Sequence, residues 1–252
     1  MTDEVELIKK RLSELARRAY VSGIFTFSDF LGLSEQSSFS EIKPTLSGIK
    51  YTLFGGCDGA ERVMVRFGDA DELGYELPFP ISALKLEPVS PKFAEKLSHR
   101  DYLGAILNLG IERSVVGDIV IKEGEAFVFV KDDIAEYIQK ELTRVRRTDI
   151  KVTLAEGIPE GELYKTERRK IQLASERLDA AIARVYNMSR DDAQRLFAKG
   201  LVFASGREIV SASYTPKPDE IISVRGHGRF IYRGFDSNTR RGKLNVLVDV
   251  YV

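Results

Sequence analysis

The stretch from residue 81 to residue 154 constrains the fold more than any other, because its apolar spacing alternates between strand and helix periods in a set order. Ile81 to Leu86 predicts a strand. Ser98, with Asp101 three residues on, has the pattern of a capping box. The helix it opens buries Leu103, Ile106 and Leu107 and stops at Gly110. Asp118–Lys122 and Ala126–Val130 predict strands joined by a short glycine-containing turn. Asp132 or Asp133 then caps a second helix carrying Ile134, Tyr137, Ile138, Leu142 and Val145, and residues 150–154 supply a closing strand. The order is βαββαβ, the ferredoxin-like plan that RNA recognition motifs share.

That plan does not by itself predict base reading. Recognition motifs stack bases on aromatics of the two central strands. Here Phe127 follows Glu125-Ala126, and Leu84-Lys85-Leu86 has no aromatic. Phe127 and Phe129 are therefore expected in the core or at a domain interface.

The flanks read as separate modules. Val5, Ile8, Leu12, Leu15, Ala16 and Ala19 give one apolar helical face over residues 3–20. Residues 49–54 and 62–67 predict strands linked by Gly55-Gly56-Cys57-Asp58-Gly59. Residues 156–170 read as a polar linker. Beyond it come a helix with Leu178, Ile182 and Val185, a break at Asn187-Met188, and a helix from Ser189 through Ala198. Short strands follow at 201–203, 208–210 and 221–224, and a longer one over 244–252. A chain of 252 residues accommodates this, since domains cluster near ~100–150 residues. The expected class is α+β with three domains: a small N-terminal domain over 1–74, a ferredoxin-like domain over 75–157 and a C-terminal domain over 166–252.

Charge locates the interesting third. The 38 basic and 38 acidic residues cancel over the whole chain, which taken alone argues against a nucleic-acid partner. From Thr166 onward, however, 16 lysines and arginines face 10 acids, a net of +6, and the preceding 165 residues carry the compensating −6. A basic module on an acidic body suits docking to RNA through one charged face. No apolar run approaches the ~18–20 residues that span a bilayer, and the acidic start Met1-Thr2-Asp3-Glu4 predicts no secretory signal. Cys57 as the single cysteine, with only His99 and His227, predicts neither a disulfide nor a metal site, and no cofactor is expected.

The segment Arg177–Val224 carries the sharpest local pattern: Arg177-Leu-Asp179, Ser189-Arg190, Ala193, Leu196, Lys199-Gly200, Val202, Gly206, Val210, Asp219, Ile221 and Val224. It resembles the alpha-L RNA-binding module of ribosomal protein S-four, which pseudouridine synthases and tyrosyl-tRNA synthetases also carry. It departs at Ala204-Ser205-Gly206 and Pro218-Asp219, where the module usually has Val-Asn-Gly and Gly-Asp. Ser189 caps a helix whose exposed face bears Arg190, Gln194, Arg195 and Lys199, a face suited to phosphates through guanidinium forks. Arg177, Arg207, Arg225, Arg229, Arg240 and Arg241 complete the expected RNA-binding set. In Arg225-Gly-His-Gly-Arg229, glycines let the backbone approach phosphate, and Phe230 or Tyr232 offers a stacking surface. His227 between glycines is expected to bond locally or to RNA, without a catalytic role. The alternative for this tail is a β-hairpin with exposed basic residues.

Taken together, Gly55-Gly-x-x-x-Ala-Glu-Arg62, Ser98-His-Arg-Asp-Tyr-Leu-Gly-Ala-Ile-Leu-Asn-Leu-Gly110, Val116-Gly-Asp-Ile119 and Val224-Arg-Gly-His-Gly-Arg-Phe230 resemble the YlmH family of bacterial S-four-domain proteins, with relatives in cyanobacteria and plastids. The resemblance runs from about Phe30 to the C-terminus. It implies a three-domain RNA-binding protein, and the chain is expected to be a non-enzymatic monomer of the cytoplasm, or of the plastid stroma in a plastid-bearing source. Its implied partners are RNA and the large ribosomal subunit, with contacts to ribosomal RNA and peptidyl-tRNA in rescue or quality control of stalled translation.

Three catalytic patterns fail on their own terms. His99-Arg-Asp101 lacks the asparagine that a kinase catalytic loop needs five residues after the aspartate, since position 106 is isoleucine. Arg177-Leu-Asp179 matches the surroundings of a pseudouridine synthase's catalytic aspartate, but the chain beyond it is too short for a catalytic domain. Cys57 has no base near it in sequence. An RNA-modifying enzyme that docks through the module, and a scaffold for cell division or plastid assembly, remain the alternative readings.

Overall fold

A helix of 21 residues, α1 (Thr2–Ser22), opens the computed structural model, which describes residues 2–122, 124–155, 166–239 and 242–251. Leu12, Ala16 and Ala19 fall on one face of α1 and are buried against Leu31, Phe39, Val65 and Phe67. These last come from the loop after β1 (Thr26–Phe27), from α2 (Leu33–Ile42) and from β3 (Met64–Phe67). With β2 (Tyr51–Phe54) the strands make an antiparallel sheet in the order β1-β3-β2, followed by the single turn α3 (Ala70–Leu73). The chain forms two compact units, Met1–Leu163 and Tyr164–Val252, and this sheet is the smaller of two in the first.

The larger sheet of unit 1 takes β4 (Ile81–Pro88), β5 (Val116–Lys122), β6 (Glu125–Lys131), β7 (Arg144–Val145) and β8 (Thr148–Leu154) in the antiparallel order β5-β6-β4-β8-β7. Two helices, α4 (His99–Leu107) and α5 (Asp132–Glu141), cover one face. Tyr102, Ile106, Ala135 and Ile138 bury there against Leu84, Leu86, Ala126, Val128 and Val130. The capping box forms as its spacing predicts, with Ser98 N–H donating to Asp101 Oδ2 at 2.8 Å.

Three expectations for this region fail. The N-cap residue of α5 is Lys131, with no side-chain cap from Asp132 or Asp133, and Tyr137 is exposed rather than buried. Val145 does not extend α5, which ends at Glu141, but pairs with Thr148 in the β7–β8 hairpin. Arg146 adopts φ 54° in the intervening turn, and that reversal buries Val145 completely in the core beside Ile138 and Ile150. A tight hairpin outcompetes another helical turn because it closes the sheet edge and buries the same side chain.

Unit 2 is built on one antiparallel sheet in the order β11-β10-β12-β13-β14-β9. Its strands are β9 (Thr166–Leu173), β10 (Val202–Ala204), β11 (Arg207–Glu208), β12 (Glu220–Val224), β13 (Gly228–Asn238) and β14 (Leu244–Tyr251). Helices α6 (Leu178–Val185) and α7 (Arg190–Ala198) contribute Leu178, Ile182, Val185, Ala193 and Phe197 to a core shared with Leu173, Ile222, Phe230, Val246 and Val248. Ser205 and Gly206, both at positive φ (46° and 78°), form the two-residue turn between β10 and β11.

Two expectations are corrected here. Of the expected linker, residues 156–165 lie outside the described residues, whereas 166–170 belong to β9, paired along its length with β14. Ile171 and Leu173 bury inward from that strand, so the charged run before them follows strand alternation along an exposed edge. Phe230 and Tyr232, expected as stacking surfaces, are both fully buried in β13, because that strand lies inside the sheet between β12 and β14. The tail is a β-hairpin.

Candidate nucleic-acid interface

Asp179 organises the basic face of unit 2. It sits in the first turn of α6, where the helix dipole favours a carboxylate, and its side chain is 0% exposed. Arg177, the N-cap residue in extended conformation, reaches it with Nε at 3.1 Å and Nη2 at 2.9 Å. Asn187 at φ 51° turns the chain back after α6, which brings α7 alongside. Arg190 then donates to Asp179 through Nε at 3.1 Å and Nη2 at 3.4 Å, and Gln194 Nε2 donates at 3.0 Å, one helical turn further on. The backbone N–H of Ala180 adds a bond at 2.8 Å.

Burial alone would raise the Asp179 carboxyl. The bonds from Arg177, Gln194 and Arg190 outweigh it and hold the group well below the usual carboxylate range. The carboxylate is therefore a permanent anchor for two guanidinium groups that remain 37% and 50% exposed. Both arginines use Nε and Nη2, so each keeps its Nη1 amine for a further acceptor. Two cations on one anion leave a net positive charge, held in fixed orientation.

The other expected residues divide by environment. Ser189 is committed to capping α7, accepting from Asp192 N at 3.0 Å. Arg195 pairs with Asp192 at 2.6 Å across one turn, both largely exposed, an arrangement worth little in water and easily exchanged for phosphate. Lys199 is exposed at the C-cap of α7, where Gly200 at φ 63° ends the helix. Arg207 lies over Tyr214 (5.6 Å to the ring centre), Arg225 over Phe203 (5.0 Å) and Arg229 over Tyr251 (4.4 Å). These three stand on aromatic supports and do not join the Asp179 cluster. His227 donates its backbone N–H to Val224 O, and its ring lies 5.6 Å from that of Tyr186. Arg240 and Arg241 lie outside the described residues.

Several features escape sequence reading. Asp179 is legible as a motif member, but its partners converge only when α7 crosses α6. Arg184 and Lys243 line, with Arg190, a cleft of about 370 Å³ in unit 2, and neither stands in a pattern that singles it out. A second anchored pair lies in the sheet. Buried Asp249 receives Arg168 Nε at 2.8 Å and Arg233 Nε at 2.7 Å, which hold it at about 2 against its desolvation.

In unit 1 the conspicuous motifs join the two sheets. Asp118 accepts from the backbone N–H groups of Glu61 (2.6 Å) and Arg62 (3.1 Å). Arg62 spends its guanidinium on the carbonyls of Val116, Phe30 and Arg113. Burial lowers the Arg113 guanidinium to about 10, with Arg62 beside it acting in the same direction. Phe127 and Phe129, 5% and 1% exposed, point away from α4 and α5. Phe129 lies so close to Gly56 that an added Cβ would stand 2.3 Å from its ring. Both side chains are buried, so neither central-strand aromatic is offered to a base.

The family model described as a putative RNA-binding domain in YlmH matches residues 78–157. The ribosome-associated protein quality control protein P2 of Bacillus subtilis (strain 168) is 28% identical over 223 residues, covering 87% of this chain and 84% of that protein. A solved structure of cell division protein ylmH from Streptococcus pneumoniae superposes with a TM-score of 0.48 at 24% identity, covering 60% of this chain and 91% of that one.

Proposed function

We propose that this chain, a member of the YlmH family, is a non-catalytic RNA-binding protein of the ribosome that acts on stalled translation. The observation that carries the proposal is the Asp179 cluster, which presents Arg177 and Arg190 in fixed orientation on an exposed face. Unit 2 is read as an S-four-type module, with α6 and α7 as its RNA-facing pair and Arg195, Lys199, Arg207, Arg225 and Arg229 as phosphate contacts. Arg240 and Arg241 are carried in that set on charge alone. Residues 75–157 are read as a ferredoxin-like domain and residues 1–74 as a separate N-terminal domain. Large-subunit ribosomal RNA and peptidyl-tRNA are the proposed ligands, bound by a monomer in the cytoplasm or plastid stroma. The name of the Bacillus subtilis relative supports the ribosomal setting.

A non-catalytic role fits the chemistry of the conspicuous candidates. Asp179, the aspartate of Arg-Leu-Asp, is buried beneath three side-chain donors, so no substrate atom can reach it. Cys57 is buried as well.

Sedimentation of cell extract through gradients at low and high salt tests the reading. The protein is expected to travel with large-subunit particles at low salt and to leave them as salt rises. Absence from ribosomal particles at low salt, with no crosslinking to RNA, overturns it.

A further inference from the structure

Phe127 and Phe129 are buried and cannot stack a base, and a surface with built features lies on the helical side of the region 78–157. An open cleft of about 570 Å³ runs between α4 and the β7–β8 hairpin, lined by Arg100, Asp101, Gly104, Asn108, Arg144 and Arg146. Arg144 and Arg146 are each 61% exposed, and their ion pairs, to Asp149 at 3.4 Å and Asp101 at 3.3 Å, are single and long. Asp101 is already engaged by Ser98 N–H and Oγ. The guanidinium groups thus retain most of their donors for an incoming anion.

Two residues on the cleft are not the ones their local backbone favours. Gly104 lies mid-helix in α4, where glycine is less stable than alanine, yet a Cβ added there would meet nothing within 4 Å. Neither packing nor a left-handed backbone requires the glycine, while a bare helix backbone admits close approach by a ligand chain. Arg146 holds φ 54° at the first position of a two-residue turn, where glycine would sit without strain. The strain sets a guanidinium on the cleft, as strained residues do at binding sites.

An aromatic stands on a loop tied to the same hairpin. Phe93 is 88% exposed. Its loop is fixed by Glu95 N–H donating to Thr148 Oγ1 at 3.1 Å and by Arg147 N–H donating to Glu95 Oε2 at 3.3 Å. Arginines with free donors and an exposed ring on a loop tied to the same hairpin are the combination that single-stranded RNA uses, backbone on the cations and base on the ring.

We propose that the cleft between α4 and the β7–β8 hairpin is a second RNA site, which holds the phosphodiester backbone of a single strand on Arg100, Arg144 and Arg146, with a base stacked on Phe93. This site is independent of the arginine face of unit 2.

The test titrates a fluorescent single-stranded RNA oligonucleotide with the full chain, in the wild type and in an R195E/K199E background that removes contacts of unit 2. Gly104→Ala and Arg146→Gly relieve unfavourable backbone and are expected to keep or raise Tm. Both are expected to weaken RNA binding at least fivefold in either background, and Arg146→Gly to flatten its salt dependence. A structural role for these residues would move stability and affinity together, not in opposite directions. Arg100→Gln, an exposed change, serves as a third variant. Affinity within twofold of the parent in all three overturns the proposal, as does a loss confined to variants with lowered Tm. Should R195E/K199E alone leave binding unchanged while the cleft variants weaken it, the unit 2 assignment fails and the cleft stands.

Discussion

Arg190 Nε donates to Asp179 Oδ2 at 3.1 Å, across the turn that joins α6 to α7. The residue with the strongest claim to a phosphate contact is thus also part of a structural anchor. Its partner is completely buried, and buried carboxylates are tolerated only when their charge is met. The proposed RNA contact and the α6–α7 crossing share one group of atoms, which makes the two roles separable only by choice of substitution.

Arg190→Glu would place a second carboxylate against Asp179 and is expected to cost on the order of 3–5 kcal/mol of stability. Arg190→Gln keeps a donor for Asp179 and removes the charge, so it is expected to lower RNA affinity with a much smaller stability loss. Thermal unfolding read beside RNA titration separates the two, and equal stability of both variants would show that Asp179 does not depend on Arg190.

Arg195 and Lys199 carry charge without structural duty, so Arg195→Gln with Lys199→Gln is expected to leave Tm within a degree or two. Each lost phosphate contact should reduce the slope of log affinity against log salt by ~0.7–0.9. An unchanged slope in ribosome binding would remove both from the interface.

Asp249 predicts a specific acid response. Its folded carboxyl lies at about 2, depressed by Arg168 and Arg233, against an unfolded value near ~3.9. A depressed carboxyl stabilises the fold above the unfolded value, and that contribution is lost as pH falls through about 2. Asp249→Asn should therefore cost up to about 2 kcal/mol at neutral pH and flatten the stability profile between pH ~4 and ~2. Denaturant melts across that range check it, and parallel curves for variant and wild type would contradict it.

Gly56→Ala is expected to destabilise unit 1 strongly. The added Cβ would overlap the Phe129 ring at 2.3 Å, and the φ of 96° is hostile to any L side chain. A loss of at least ~2 kcal/mol, or several degrees in Tm, is expected. Retention of wild-type Tm would mean that the sheet face over Phe129 opens readily.

Short-range order was legible from residues alone. The β4–α4–β5–β6–α5 sequence of elements, the Ser98–Asp101 box, the Ser189 cap and the stop at Gly200 depend on side chains a few positions apart, whose physics is local. The same holds for the basic C-terminal third, which is a matter of counting. Partner choice is different, because a guanidinium on a helix surface looks alike whether it faces water, phosphate or a buried carboxylate. Only the crossing of α7 over α6 gave Arg190 and Gln194 to Asp179. Only the closure of the sheets gave Glu61 and Arg62 to Asp118 and set Gly56 on Phe129, and only the sheet interior claimed Phe230 and Tyr232. Sequence periodicity determines which face of an element is apolar; what that face meets is decided by long-range packing, where desolvation and hydrogen-bond satisfaction select among faces that are locally equivalent.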